Sequence, residues 1–453
     1  MSVAMDKEAE SRTSGGAQRV AVIGSGIGGL GACAQLKTSD PAVHLTLFEK
    51  DGHFGGHANT LDMTLEGLTH GVDTGFLVYN ERTYPRLIAL FAALCVPVAA
   101  SDMSFSVQIR QRHQSVLEWS GHSLATVFTQ KRNLLRPDFW RMLADILRFN
   151  RLATGLAKNG GGVEQSVQEF LDHHRFSAGF REHYLLPMIA CIWSCPLDQM
   201  LAFPMATLVR FCHNHGLLQV SNRPQWYTVR GGSRQYVNRI LALVDAPRLK
   251  TPVMAITRGP DGVRIQTRDG WESFDALVLA CHPDQALSLL GTGATASERE
   301  CLGAIRYQSN RAVLHTDASV MPQRESAWAA WNFERHAQGS HQHAPVCLHY
   351  WLNRLQPLPW RTPVMVSLNP LREIRADQIH ADIDYAHPVF DAAAIAAQQR
   401  LPDLQGHART WYCGAWCGYG FHEDGLKSGQ RAAEDVLRVL GRGLAGATPT
   451  PGK

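Results

Sequence analysis

The sequence lacks any apolar run long enough to cross a bilayer. Its longest, Leu87 to Ala100, has fourteen residues and is interrupted by Pro97, whereas a spanning helix needs about 20. The first residues, MSVAMDKEAESRTSGGAQ, have neither the apolar core of a secretion signal nor a twin-arginine pair, and are expected to form a loose tail of a soluble, cytoplasmic protein. Charge of one sign is also missing. Lysine and arginine number 44 against 40 aspartates and glutamates, too even a balance for nucleic acid to be expected as the partner. Paired cysteines are scarce: among ten, only Cys191/Cys195 and Cys413/Cys417 are close, each with three residues between. Zinc sites use tighter pairs with matching partners, so reduced thiols and no metal are expected. There are no internal repeats and no long low-complexity tract. What is present is 45% hydrophobic and 19% charged over 453 residues, enough for two or three domains with real cores.

The N-terminal region carries an ordered set of signals. Arg19 to Gly24 reads RVAVIG, a β-branched apolar run suited to a buried parallel strand. It leads into GSGIGG, with Gly24, Gly26, Gly28 and Gly29, then a helix-like stretch containing the small Ala32, then HLTLFE ending at Glu49. Each piece has a task at a dinucleotide. Gly24 makes the tight turn, Gly26 lets backbone approach a pyrophosphate, Gly29 lets helix and strand touch, and the helix N-terminus faces the phosphate charge. Glu49 can accept hydrogen bonds from ribose hydroxyls, and its charge disfavours a 2′-phosphate.

Further blocks follow: DGHFGGHANT with Gly55, Gly56 and His57; GVDTGFLVYNERTYP with Asp73, Gly75, Phe76 and Leu77; TVRGGSRQYVNRIL with Gly231 and Gly232; and a strand-like stretch 251–287 with turns at Gly259–Gly262 and Asp269-Gly270. Nearly four hundred residues after the first motif comes RTWYCGAWCGYGFHEDGLKSGQRAAEDVL, with Gly414, Asp424, Gly425, Ser428, Gly429, Ala432 and Ala433. In this order the blocks resemble the FAD motifs of the amine oxidase-like superfamily. The resemblance implies FAD, expected to be non-covalent because no attachment motif stands out, with Gly56 and His57 on the pyrophosphate, although arginine is usual at the second of these positions. It implies Gly75, Phe76 and Leu77 along the isoalloxazine, the backbone of Val253 at adenine, and Gly414 at a strand end. Asp424 and Gly425 would open a last helix whose N–H groups face the pyrimidine edge of reduced flavin.

The fold class expected is α/β, a discontinuous Rossmann-type FAD-binding domain with an interleaved α+β substrate domain. The FAD domain is expected at 18–78, 225–290 and 405–441, the substrate domain at 79–224 and 291–404, and tails at 1–17 and 442–453. Residues 130–151, QKRNLLRPDFWRMLADILRFNR, read as an amphipathic helix with a basic approach. Phe139, Trp140, Met142, Leu143, Ile146, Leu147 and Phe149 supply its apolar side, and Lys131, Arg132, Arg136, Arg141, Arg148 and Arg151 outnumber Asp138 and Asp145. Such a helix either rests on an anionic membrane surface or is a domain helix with a solvated basic face.

The catalytic candidate is His422, with Tyr419 and Phe421 as walls of the pocket. Alignment on the acid-glycine pair puts His422 where amine oxidases of the superfamily carry an aromatic cage residue; an imidazole there can move a proton. It could equally cap the final helix. No lysine follows His282-Pro283, where such oxidases tend to place one. His315, His349 and His387 have no sequence context separating them from satisfied core residues. From Arg19 to Leu440 the chain resembles a bacterial branch of the superfamily, through VDTGFLVYNERTYP, SDMSFSV, HYLLPMIACIWSCP, RFCHNHGLL, RPQWYTVRGGS and WYCGAWCGYGFHEDGL. That branch is similar to flavin-dependent fatty acyl desaturases of furan fatty acid biosynthesis, found beside cyclopropane-synthase-like methyltransferases. It implies a phospholipid acyl chain as substrate, hydride transfer to flavin N5, a methyltransferase partner and contact with the inner membrane face. The alternatives are an amine oxidase, a fatty acid double-bond isomerase, or a non-catalytic partner delivering lipid to a methyltransferase.

Overall fold

The computed structural model describes residues 17–111, 114–159, 165–219, 223–260, 262–337 and 345–441. Apart from Ala17, the expected tails lie outside these residues. Strand Arg19–Ile23 is the centre of a five-stranded parallel sheet. His44–Phe48 and Ala246–Arg248 lie on one side of it, and Ala276–Leu279 and Thr410–Tyr412 on the other. Leu277 and Thr410 are register partners, so both ends of the chain and its middle build one sheet. Val20, Ala21, Val22, Leu277 and Val278 are fully buried, as expected when both faces of a parallel sheet are covered.

One face is covered by helix Ile27–Ser39 and the closing helix His422–Val439. Their small residues let the two axes come very close. A Cβ on Gly429 would lie 2.0 Å from the Gly28 carbonyl oxygen, and one on Gly28 would lie 3.0 Å from the Cα of Gly414. The other face is covered by an antiparallel meander, Ala255–Gly259, Gly262–Thr267 and Gly270–Phe274, whose Ile256, Val263, Ile265 and Phe274 pack on Ala21, Ile23, Phe48 and Leu279. The turn expected at 259–262 joins its first two strands; residue 261 is outside the described set.

The second unit is built on a seven-stranded sheet. Its order is Ile379–Pro388, Tyr307–His315, Met365–Leu368, Cys347–Trp351, Trp331–His336, Phe105–Gln111 and Gln114–Ser120, antiparallel except between the fifth and sixth. Alternation splits its faces. Val107, Trp119, Ala312, Phe333, Leu348 and Leu368 join a core with Phe139, Phe149, Phe170 and Phe180 from the helices. The opposite face carries Ser106, Arg110, Glu118, His315, Asn332, Glu334, His349 and Ser367, all nevertheless buried. Segment 317–328 closes over them: Gln323 N–H and Arg324 bond Glu118, and Arg110 donates to the Met321 carbonyl.

The α/β fold is as expected, but the helix expected over 130–151 is displaced. Lys131–Leu135 forms a 3₁₀ turn, and the α-helix runs from Pro137 to Lys158. Pro137 has no N–H to donate and so takes the first helical position rather than an interior one. The polarity also differs. Phe139, Met142 and Phe149 face the core, whereas Trp140 and Leu147, read as part of the apolar side, are on the outer face at 49% and 56% exposure. Arg148 is half-exposed, ion-paired with Asp145 at 2.9 Å and lying over the Phe176 ring.

Candidate functional site

The turn after the first strand is built around Gly24, whose φ of +100° no β-carbon tolerates well. Its N–H donates to the Phe48 carbonyl, and a Cβ would lie 2.9 Å from the Ala280 backbone. A Cβ on Gly29 would lie 1.9 Å from the Gly24 carbonyl oxygen, so helix and strand meet there. Gly26 is different: a Cβ there would meet nothing within 4 Å, so the inner side of the turn is open. Gly56 faces it, its own Cβ position 3.2 Å from the Gly26 Cα. The two glycine motifs therefore converge on one open cradle.

Glu49 ties this cradle together. Its Oε2 accepts from the Ser25 N–H at 3.0 Å and hydroxyl at 2.6 Å, and its Oε1 accepts from the Asp51 N–H. Ser25 Oγ in turn accepts from the Gly55 N–H at 3.1 Å. Ser25 was not singled out in the sequence, although its place inside GSGIGG is the signal that marks it. Gly75 packs against the His57 backbone, and the Phe76 N–H donates to the His57 carbonyl at 2.7 Å. Asp73 is buried and accepts from Thr60, Ser233 N–H and Ser233 Oγ, fixing the start of the helix that follows Gly231 and Gly232. Burial raises its pKa to about 6, against the pull of those hydrogen bonds. Val253 lies on the segment that passes Glu49, where the Thr251 N–H donates to the Glu49 carbonyl.

Four histidines gather beside the cradle. His57, His282, His387 and His422 each sit deep enough for burial to lower their pKa, His387 to about 4 and His422 to about 3. Yet each keeps part of its surface accessible, so they border an internal space. The His57 ring stacks on Tyr385 at 4.7 Å and meets His387 edge-on at 5.1 Å, while its Nε2 is buried without a partner. Tyr385 bonds Thr74 and Asn59, and His387 bonds Asn310. His282 stacks on Tyr307. His387 is one of the histidines that the sequence does not distinguish, and Tyr385 is not among its candidates. Their signal is the alternation of strand Ile379–Pro388, which puts positions 385 and 387 on one face.

The C-terminal motif closes the site. Gly414, with φ +155°, donates its N–H to Ser428 Oγ at 2.9 Å. Asp424 accepts from the N–H groups of Tyr419 and Phe421, each at 3.1 Å, and burial raises its pKa to about 6. Gly425 packs on Ile27 and Ala415 in the first turn of the closing helix. His422 is the first residue of that helix; its ring stacks on Phe76 at 3.6 Å and its Nε2 bonds the Tyr236 hydroxyl at 3.1 Å. Leu77 is buried in the core of the second unit. Tyr419 instead borders a cavity of about 220 Å³ with Phe203, Thr207, Arg210, Phe390 and Ile395.

Among the described residues one trio has metal-ligand types close together: Glu334, Cys347 and His349, with ligand atoms within 4.8 Å. The Arg110 Nε lies 2.9 Å and the Arg372 Nε 3.5 Å from Glu334 Oε1. Two guanidinium charges already balance that carboxylate and would repel a cation.

Residues 27–301 match the sequence profile of the family described as flavin containing amine oxidoreductase. No curated protein sequence matches the chain. Among solved structures, cyclohexylamine oxidase from Brevibacterium oxydans IH-35A superposes with a TM-score of 0.66 at 15% identity, covering 94% of this chain and 100% of its own. Putrescine oxidase bound to putrescine gives 0.64 at 15% identity, with 93% and 99% covered. A conjugated-linoleic-acid-producing fatty acid isomerase from P. acnes gives 0.61 at 15% identity, with 93% and 98% covered. At such identity the likenesses speak for the fold. The open turn at Gly26, the facing Gly56 and the unpartnered His57 Nε2 fit a diphosphate, and the N-terminus of the closing helix lies beside the same space. The chain thus belongs to the flavin containing amine oxidoreductases, whose cofactor, FAD, is held non-covalently.

Proposed function

We propose that the protein oxidises an unsaturated acyl chain of a phospholipid next to its double bond, giving a conjugated diene. The observation carrying this reading is the cavity beside Tyr419. Its walls include Phe203, Phe390 and Ile395 beside the polar Thr207, Gln398 and Gln399, and among the described residues its one charged lining residue is Arg210, exposed at the rim. A cationic amine would find no carboxylate among the described lining residues, whereas an acyl chain can lie along the Phe203, Phe390 and Ile395 side with an anionic head group at Arg210. Bound FAD supplies the two-electron acceptor for the hydride that leaves the allylic carbon, and dioxygen or another acceptor restores it. The balance then requires a proton to leave the neighbouring carbon. We assign that proton to His422, whose orientation the Tyr236 hydroxyl at Nε2 fixes; burial makes the ring a weak base, sufficient only because loss of the hydride acidifies the neighbouring C–H. Tyr419 forms the wall against which the chain lies. In the cradle, Gly24, Gly26, Gly28, Gly29, Gly56 and His57 take the diphosphate, Glu49 the ribose and Val253 the adenine. Gly75, Phe76 and Leu77 border the flavin ring on one side, and Gly414, Asp424 and Gly425 hold its pyrimidine edge.

A methyltransferase acting on the same acyl chain is the partner this reading calls for. A second reading, redox-neutral double-bond isomerisation, draws on the likeness to the fatty acid isomerase. Anaerobic mixing of the FAD-loaded protein with phospholipid vesicles carrying monounsaturated chains separates them. Desaturation bleaches the flavin and yields chains lighter by two hydrogens. An unchanged chain mass with a moved double bond gives the site to isomerisation, and hydrogen peroxide release on a panel of amines gives it to amine oxidation. No turnover of any of these would leave lipid delivery as the role.

A further inference from the structure

The surface from Leu124 to Arg151 is unlike the rest of the molecule. Leu124 is 80% exposed and Leu135 87%, with Leu134, Trp140 and Leu147 also open to solvent. Nearly half of the large apolar side chains exposed among the described residues fall in this short stretch, so scattered surface leucines do not account for it. The side chains form one surface. The Trp140 indole donates to the Leu134 carbonyl at 2.9 Å and packs beside Phe128 at 5.1 Å, joining the 3₁₀ turn to the helix. Trp140 and Leu147 are seven residues apart, two helical turns along one stripe. Around them Lys131, Arg132, Arg136, Arg141 and Arg151 are exposed, against the single exposed acid Asp138 in the same stretch.

We propose that this surface docks on an anionic phospholipid bilayer. Leucines and a tryptophan enter the interfacial layer while the arginines and lysine meet phosphate groups. A second copy of the chain is a poorer occupant, because a two-fold contact would set this cationic rim against itself. The same helix carries the surface towards the candidate pocket: Met142 and Phe149 on its inner side share a core with Leu208 and Phe211 of helix Met205–Asn214, and that helix supplies Thr207 and Arg210 to the cavity beside Tyr419. Docking does not depend on what the flavin oxidises, so vesicle binding and turnover can fail separately.

The test is flotation of the FAD-loaded protein with vesicles of phosphatidylglycerol and phosphatidylcholine, compared with phosphatidylcholine alone. The protein is expected to float with the anionic vesicles and to be released by salt. Two double variants, Leu135→Ser/Leu147→Ser and Lys131→Glu/Arg136→Glu, are each expected to lower vesicle partition at least about tenfold. All four side chains are exposed, so an unchanged flavin spectrum serves as the control for folding. Failure to float with anionic vesicles overturns the proposal, as does flotation that neither variant reduces. A dimer in solution that Leu135→Ser/Leu147→Ser abolishes would overturn it in favour of self-association.

Discussion

Glu334 ends a run of hydrogen bonds whose direction is set at its far end. The Asp317 N–H donates to His315 Nδ1, so this neutral imidazole carries its proton on Nε2 and donates it to Ser367 Oγ at 2.6 Å. The Ser367 hydroxyl is then left to donate to His349 Nδ1 at 2.6 Å, and His349 Nε2–H donates to Glu334 at 2.9 Å. Burial opposes the charge on Glu334, but the His349 bond and the Arg372 and Arg110 charges more than offset it and hold its pKa below the usual value. A serine, a histidine and a carboxylate in sequence resemble a nucleophilic triad, yet Ser367 is 0% exposed, which excludes substrate and makes the run structural. Glu334→Gln removes the anion while Arg110 stays buried, and is expected to cost about 3–5 kcal/mol of stability. Urea unfolding of the FAD-loaded protein measures it; a loss under about 1 kcal/mol would show that the carboxylate is not the partner that matters.

At the level of elements, the glycines of the first and closing helices divide into two kinds. Gly29 and Gly429 are in van der Waals contact with backbone, so a methyl group at either forces the two helices or the strand apart. Gly26, with φ −63° and ψ 175°, has backbone angles any residue adopts, and its missing side chain faces open space. Gly26→Ala should therefore leave the melting temperature of the apoprotein unchanged while weakening FAD by tenfold or more, about 1.4 kcal/mol. Gly429→Ala should lower the melting temperature of the apoprotein itself. Calorimetry and flavin titration on both variants check this; equal loss of apoprotein stability in the two would contradict it. The contrast also marks what was legible in the sequence. Strand, turn and helix at 19–39 are local, and GSGIGG states its geometry in six residues. The run from His315 to Glu334 was illegible, because it exists only once strand Met365–Leu368 inserts between Tyr307–His315 and Cys347–Trp351. For Tyr385 and His387 the shared strand face is legible by alternation, but their meeting with His57, more than three hundred residues earlier in the chain, is not. The helix start at Pro137 was readable from proline chemistry, but the exposure of Trp140 was not: periodicity shows which residues share a stripe and leaves open which stripe meets the core.

Over the whole molecule, buried histidines set how stability responds to acid. His315 has its pKa lowered to about 3, chiefly by burial, and His183 and His215 are lowered to about 4, also chiefly by burial. A group whose folded value lies below its unfolded value of about 6.5 binds its proton more readily when unfolded. Its contribution is complete above about pH 6.5 and is lost as pH falls towards the folded value, at roughly 1.4 kcal/mol per pH unit for a fully buried ring such as His315. Three carboxylates act in the opposite sense, among them Glu423, whose pKa burial raises. Asp73 and Asp424, raised to about 6, favour the folded state as pH falls from about 6 towards their unfolded value near 4. Between pH 6.5 and 6 only the histidines act. Below pH 6 the three histidines away from the cradle equal the three acids in number, and His387 and His422 tip the balance towards the imidazoles. The melting temperature of the FAD-loaded protein is therefore expected to fall steadily from pH 7 to pH 5, and the fall to be shallower in His315→Asn, where the asparagine has no proton to gain. A melting temperature that stays level or rises over that range would mean that the carboxylates, and not the imidazoles, govern the acid limb.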